Sequence, residues 1–166
     1  MGEDAPMRYH SPFRQPEPRP VAEGEHPLWD EALAAVNRDL AATLPEQQPL
    51  CLFAVPWEEG EPEQVYVALA NGEWHGNPLS AADDLEAVAE AAQETVTERL
   101  WRAWPLCSEH DLGMHVRQVS GRPSWWCAGS AAPGDPAHIR AAVGELDTLG
   151  RPHRPNRKRR KQRPQG

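Results

Sequence analysis

Lysine is nearly absent from this chain: there are two, Lys158 and Lys161, against 15 arginines, and both lie in the last sixteen residues. That bias is what a GC-rich genome produces, so an isolated arginine here says little about function. Cysteine is scarce as well. Three residues, Cys51, Cys107 and Cys127, in a chain with no export signal argue against a disulfide framework. No apolar run exceeds six residues (Leu50–Val55 and Val65–Ala70), which excludes a membrane-spanning helix. The first residues lack the apolar core of a signal peptide, so a cytoplasmic protein is expected. Missing too are Gly-x-Gly-x-x-Gly, a P-loop, Gly-x-Ser-x-Gly and His-Glu-x-x-His. Asp83 and Asp84 are paired carboxylates, but they adjoin a predicted helix start, where the helix dipole accounts for them.

What is present is charge, divided unevenly. The 25 acidic and 17 basic residues give a formal net charge of -8. Residues 151–166 hold eight basic side chains (Arg151, Arg154, Arg157, Lys158, Arg159, Arg160, Lys161 and Arg163) and no acid. The first 150 residues therefore carry nine basic groups against 25 acidic ones, a charge of -16. A basic run this dense, with prolines and no apolar residue, suits phosphates: nucleic acid or another polyanion, bound without sequence preference and weakened by salt. The alternative is a tail that neutralises the acidic body. The body itself should repel nucleic acid.

The 18 prolines and mean hydropathy of -0.71 are also unevenly spread. Residues 1–27 contain six prolines and few aliphatic side chains, too little apolar surface to offset the entropy of ordering them. We therefore expect a disordered Pro-rich arm over 1–27, one domain over 28–149 and a disordered basic tail over 150–166. About 120 residues suffice for a single core.

Within that domain, Trp29, Leu33, Val36, Leu40 and Leu44 recur at helical spacing, with Pro27 before them and Pro45 after. Leu50–Val55 and Gln64–Ala70 read as strands, the second closed by Asn71-Gly72, with a short further strand through Trp74. Ser80, with Asp83 three residues on, opens a second helix whose stripe is Leu85, Val88, Ala92, Val96 and Leu100 and which runs to Ala103. Short strands follow at Met114–Val119, Ser124–Ala128 and His138–Val143. The order predicts an α+β fold, two helices on a small antiparallel sheet.

The last third holds the candidate chemistry. Cys107-Ser-Glu-His110 presents a thiol and an imidazole from one tight turn; Cys127 ends a strand and His138 begins the next. Zinc takes four thiolate or imidazole ligands at the corners of a tetrahedron. Cys107, His110, Cys127 and His138 would make a closed structural Cys2His2 site, with His115 as a spare ligand. The plainer alternative makes Cys127 a small core residue, Cys107 partly exposed and the histidines surface groups; a Cys107–Cys127 disulfide is a further alternative. Cys51 reads as core. A Cys107–His110 thiolate–imidazole dyad is also conceivable, but the sequence offers no orienting group or oxyanion donor.

The string Trp104-Pro-Leu-Cys-Ser-Glu-His110, then Gly113, His115 and Trp125-Trp-Cys127, resembles small actinobacterial proteins of uncharacterised role that carry a WPxCxxH … WxC segment. The resemblance spans residues 101–146 and implies no established activity. It does imply a zinc-ribbon-like hairpin, with the departure that no second cysteine follows Cys127 at ribbon spacing.

Two further patterns stand out. Trp101, Trp104, Trp125 and Trp126 read either as a core around the cysteines or as a stacking platform for a base or ligand. Trp125 and Trp126, adjacent on a strand, should face opposite sides. Glu86, Glu90, Glu94 and Glu98 form an acidic ridge at spacing four, with Arg102 expected to pair with Glu98; a cation, a basic segment or the tail could lie on it. Together these features predict a non-enzymatic accessory or interaction protein with zinc and a protein partner. A nucleic-acid-associated protein acting through its tail, and a thiol enzyme using Cys107 and His110, are the alternatives.

Overall fold

A computed structural model describes residues 17–130 and 132–149. Residues 1–16 of the arm predicted over 1–27, and the basic tail predicted over 150–166, lie outside the described residues. Among the described residues the fold is α+β, with two α-helices and two three-stranded antiparallel sheets, where the sequence predicts one sheet.

Helix α1 spans Pro27–Thr43, with Pro27 in its first turn and Asp30 at its positive end. It buries Trp29, Leu33, Val36 and Leu40, the predicted stripe, together with Asp39. The first sheet has strand order β1 (Arg19–Pro20), β2 (Cys51–Val55), β3 (Gln64–Ala68). Its inner face buries Leu52, Ala54, Val65 and Val67. Residues 17–27, predicted to lie outside the domain, therefore contribute an edge strand. Arg19 pairs with Ala54 in register, and its guanidinium bridges Glu25 at 2.9 Å and Glu63 at 2.8 Å. Cys51 is not core: it faces away from the helices, half-buried, its thiol donating to the Leu69 carbonyl at 3.4 Å. The strand expected through Trp74 is a single bridge to Ala68.

Helix α2 spans Leu85–Leu100, shorter at both ends than predicted. Ser80 and Asp83 instead close a turn ahead of it, the Ser80 N–H donating to the Asp83 carboxylate at 2.7 Å and the Asp83 N–H to the Ser80 carbonyl at 2.8 Å. Asp84 is the cap, accepting from the N–H groups of Glu86 and Ala87. At the far end Trp101 adopts the left-handed conformation (φ 53°) and stops the helix.

The second sheet is β4 (His115–Val119), β5 (Arg122–Cys127), β6 (His138–Ala142), in that order. Val119 pairs with Arg122 across a two-residue turn, Ser120-Gly121, in which both residues have positive φ. One core joins everything, running from Trp29 and Val36 through Val88 and Val96 to Trp104, Cys107, Trp125 and Cys127. Gln93 of α2 donates its side-chain amide to the carbonyls of Trp104 and Met114, which fixes the segment leading into the second sheet. Among the described residues no helix is long and apolar enough to cross a membrane.

Candidate metal centre

Three pieces of backbone bring the candidate ligands together. The first is a closed turn. The Cys107 N–H donates to the Leu112 carbonyl and the Asp111 N–H to the Cys107 carbonyl, both at 2.8 Å, while Leu106 bridges to Gly113. This turn presents Cys107 and His110 on one side. The second piece is the β5–β6 register, which sets Cys127 directly opposite His138. The ten residues between them thus form one hairpin loop, and two distant positions become cross-strand neighbours. The third is the packing of the turn against this hairpin around buried Trp104 and Trp125, whose rings meet edge to face at 5.7 Å.

The ligand atoms of Cys107, His110, Cys127 and His138 all lie within 4.8 Å of one another, close enough to hold a metal ion. His110 Nδ1 is 3.5 Å from the sulfur of Cys107 and 3.5 Å from that of Cys127. His138 Nε2 is 3.7 Å from Cys107 Sγ. A tetrahedral ion with metal–sulfur bonds of ~2.3 Å and metal–nitrogen bonds of ~2.0–2.1 Å has sulfur–nitrogen edges of about 3.6 Å. These three sulfur–nitrogen separations match that edge, and every other separation in the cluster is at most 4.8 Å. Both sulfurs are buried and both imidazoles partly buried.

The surroundings treat the two thiols differently. Burial pushes the Cys107 thiol up, but hydrogen bonds from the Glu109 N–H, the His110 ring and the His110 N–H outweigh it and hold the thiol at about 7. Burial pushes Cys127 up, and neighbouring Cys107 adds to this against the Gly129 N–H, which lies 3.4 Å from the sulfur. Cys107 and then Asp135 raise His110. Two adjacent buried thiols cannot both ionise comfortably unless a cation lies between them.

Asp135 was not apparent in the sequence. Both of its carboxylate oxygens lie 2.7 Å from His110 Nε2. It sits in a Pro/Gly/Ala loop with no distinguishing spacing. Glu109 approaches His138 Nε2 at 3.7 Å, while Arg140 grips Glu109 at 2.5 Å and Ser108 Oγ at 2.9 Å.

The remaining sequence candidates separate. His115 is exposed on β4, paired with Trp126, and stands outside the four-residue cluster. Trp104 and Trp125 are core, whereas Trp101 is 90% exposed. Trp126 faces outward, as adjacency to Trp125 requires, and the Arg117 guanidinium covers its ring at 3.8 Å. On the acidic ridge, Glu86 accepts from Gln118 at 2.6 Å and Glu94 lies 3.8 Å from His75. Arg102 pairs with Glu46 at 3.6 Å instead of Glu98, because the helix ends before it. The predicted polyanion-binding residues Arg154, Arg157, Lys158, Arg159, Arg160, Lys161 and Arg163 lie outside the described residues. No protein-family model, curated protein or solved structure matches the chain, so its functional reading rests on this centre.

Proposed function

We propose that this chain is a non-enzymatic accessory or interaction protein whose second sheet is pinned by one structural zinc ion on Cys107, His110, Cys127 and His138. The observation that carries the proposal is the common 4.8 Å reach of the four ligand atoms. Two thiolates and two imidazoles suit zinc better than harder cations. Protein atoms fill all four positions, so no site remains for a reactive water, and the ion's contribution is a crosslink. That crosslink ties the 107–112 turn to the β5–β6 hairpin and adds its binding free energy to folding.

Chelation tests this. Stripping the metal from the full-length chain should lower its unfolding temperature sharply, and added zinc should restore it. Superimposable melting curves with and without chelator would sink the proposal.

The thiol-enzyme alternative gains an orienting carboxylate in Asp135, 2.7 Å from His110. Against it, Cys107 is fully buried, and His110 Nδ1 faces two sulfurs equally, at 3.5 Å each. A nucleophile must reach a substrate, whereas a structural thiolate need not. Iodoacetamide should label neither Cys107 nor Cys127 in the zinc-loaded protein; labelling of Cys107 with zinc present would favour the enzyme. The eight basic and no acidic side chains of residues 151–166 support a second role, polyanion binding. A chain truncated after Gly150 should then lose binding to duplex DNA that the intact chain shows at low salt; equal binding by both would remove that role.

A further inference from the structure

We infer that Asp135 is the positioning residue of this centre: it makes His110 an Nδ1 ligand and so couples the β5–β6 loop to the metal. The inference rests on the zinc reading above and extends it to the residue that sets affinity.

A carboxylate only accepts hydrogen bonds, so His110 Nε2, 2.7 Å from both Asp135 oxygens, must carry the proton. In the neutral imidazole that binds a metal, the lone pair is then on Nδ1, the nitrogen that faces both sulfurs at 3.5 Å. His138 has the opposite arrangement. Its Nε2 faces Cys107 Sγ at 3.7 Å; Glu109 Oε2 is also 3.7 Å from it, beyond hydrogen-bond reach, and Glu109 is held by Arg140 instead. Its Nδ1 lies 3.4 Å from the Pro136 carbonyl, which only an N–H can satisfy. Asp135-Pro136 therefore selects the tautomer of both imidazoles, each with its free lone pair toward the centre.

That dipeptide is itself held in place. The Ser130 N–H donates to the Asp135 carbonyl at 3.2 Å, and the Asp135 N–H donates to the Ala132 carbonyl at 3.3 Å. Gly129 lies so close that a Cβ there would fall 2.5 Å from the Pro136 carbonyl oxygen. Gly129 in turn donates its N–H to Cys127 Sγ at 3.4 Å. The loop thus runs from one ligand, through Gly129 and Asp135, to the outer nitrogen of another. The Asp135 side chain is 40% exposed and, among the described residues, hydrogen-bonds to His110 alone, so its removal takes nothing from the core.

Cobalt(II) titration of the full-length chain under chelator competition tests the assignment, with visible absorption reporting the ligand set. Asp135→Ala should keep the wild-type band positions, since the four ligands remain, while binding cobalt ~10–100-fold more weakly. Asp135→Asn should recover part of the loss, because its amide oxygen can still accept the Nε2–H. Nitrogen-15 spectra of the metal-loaded wild type should show His110 protonated at Nε2 and His138 at Nδ1. Equal cobalt affinity in wild type and Asp135→Ala, or a His110 protonated at Nδ1, overturns the inference and leaves the zinc site standing. A wild type with no thiolate–cobalt absorption defeats the zinc reading, and this inference with it. Melting of the metal-free forms should not distinguish wild type from Asp135→Ala; a destabilised metal-free variant would mark Asp135 as merely structural and overturn the inference.

Discussion

Asp39 Oδ2 accepts a 2.7 Å hydrogen bond from Trp125 Nε1, joining α1 to the central strand of the second sheet across 86 positions. Both residues are fully buried. The same carboxylate accepts from the Gly144 N–H at 2.6 Å and the Leu146 N–H at 2.9 Å, which draws the end of the domain back onto α1. Asp39→Ala would leave three buried N–H groups without a partner. At ~1–3 kcal/mol for a strandeddonor, and with partial relaxation, the loss of stability should be about 3 kcal/mol or more. Trp125→Leu is a poor comparison because it also opens a cavity; the cleaner partner is Ser124→Ala, which spares this network and should change stability by less than ~1 kcal/mol. Urea unfolding of the three proteins checks the order.

The same carboxylate carries a pH dependence. Burial raises the Asp39 carboxyl above its ordinary range, and the charge of Asp147 adds to this, against the N–H donors of Trp125, Gly144 and Leu146. The folded chain therefore binds this proton more tightly than the unfolded chain. The resulting stability is full below the unfolded value and is lost as pH rises through the folded one. Asp39→Asn cannot titrate, so the stability difference between wild type and variant should favour wild type most in acid. That advantage should shrink as pH rises above about 4, the ordinary aspartate range. A difference that is flat, or that grows with pH, would contradict the assignment. Comparing the two proteins at each pH cancels the effect of acid on the metal ligands.

Trp101 occupies the left-handed end of α2 at φ 53° with 90% of its surface exposed. The conformation costs an L-residue roughly 1–2 kcal/mol, and glycine adopts it freely at an entropic cost of about 0.5–1 kcal/mol. With almost no buried surface to lose, Trp101→Gly should stabilise the chain by about 0.5–1 kcal/mol, read as a rise in unfolding temperature.

Two glycines with positive φ separate loop strain from loop function. Gly129 (φ 72°) has the Asp135 and Pro136 carbonyls against it, whereas Gly121 (φ 78°) has nothing within 4 Å of the position a Cβ would take. Gly121→Ala should cost about 1 kcal/mol and leave metal affinity unchanged. Gly129→Ala should cost more than ~2 kcal/mol, because backbone must move, and should weaken metal binding in the same protein. Calorimetric melting and chelator competition on both variants provide the comparison.

The order of elements was legible because the stripes of α1 and α2 and the short strands differ in period. The number of sheets was not, because which strands pair is decided by long-range packing and leaves no local pattern. The cluster of four was legible from Cys107-x-x-His110, from Cys127 at the end of one short strand and from His138 at the start of the next, and those four do lie together. Asp135 was not, since only the folded loop brings it to His110. Asp39 left a trace that could have been read: it falls three residues after Val36, on the apolar stripe, where an acid demands buried donors. Cys51 misled because a strand with one buried face alternates, and it lies on the other face.

Metal content of the full-length chain, purified without chelator, is the most direct test of the central claim. One equivalent of zinc per chain is expected, falling to near zero in both Cys107→Ser and Cys127→Ser. Less than about a tenth of an equivalent in the wild type, or zinc that survives both substitutions, would contradict a structural zinc site on these four residues.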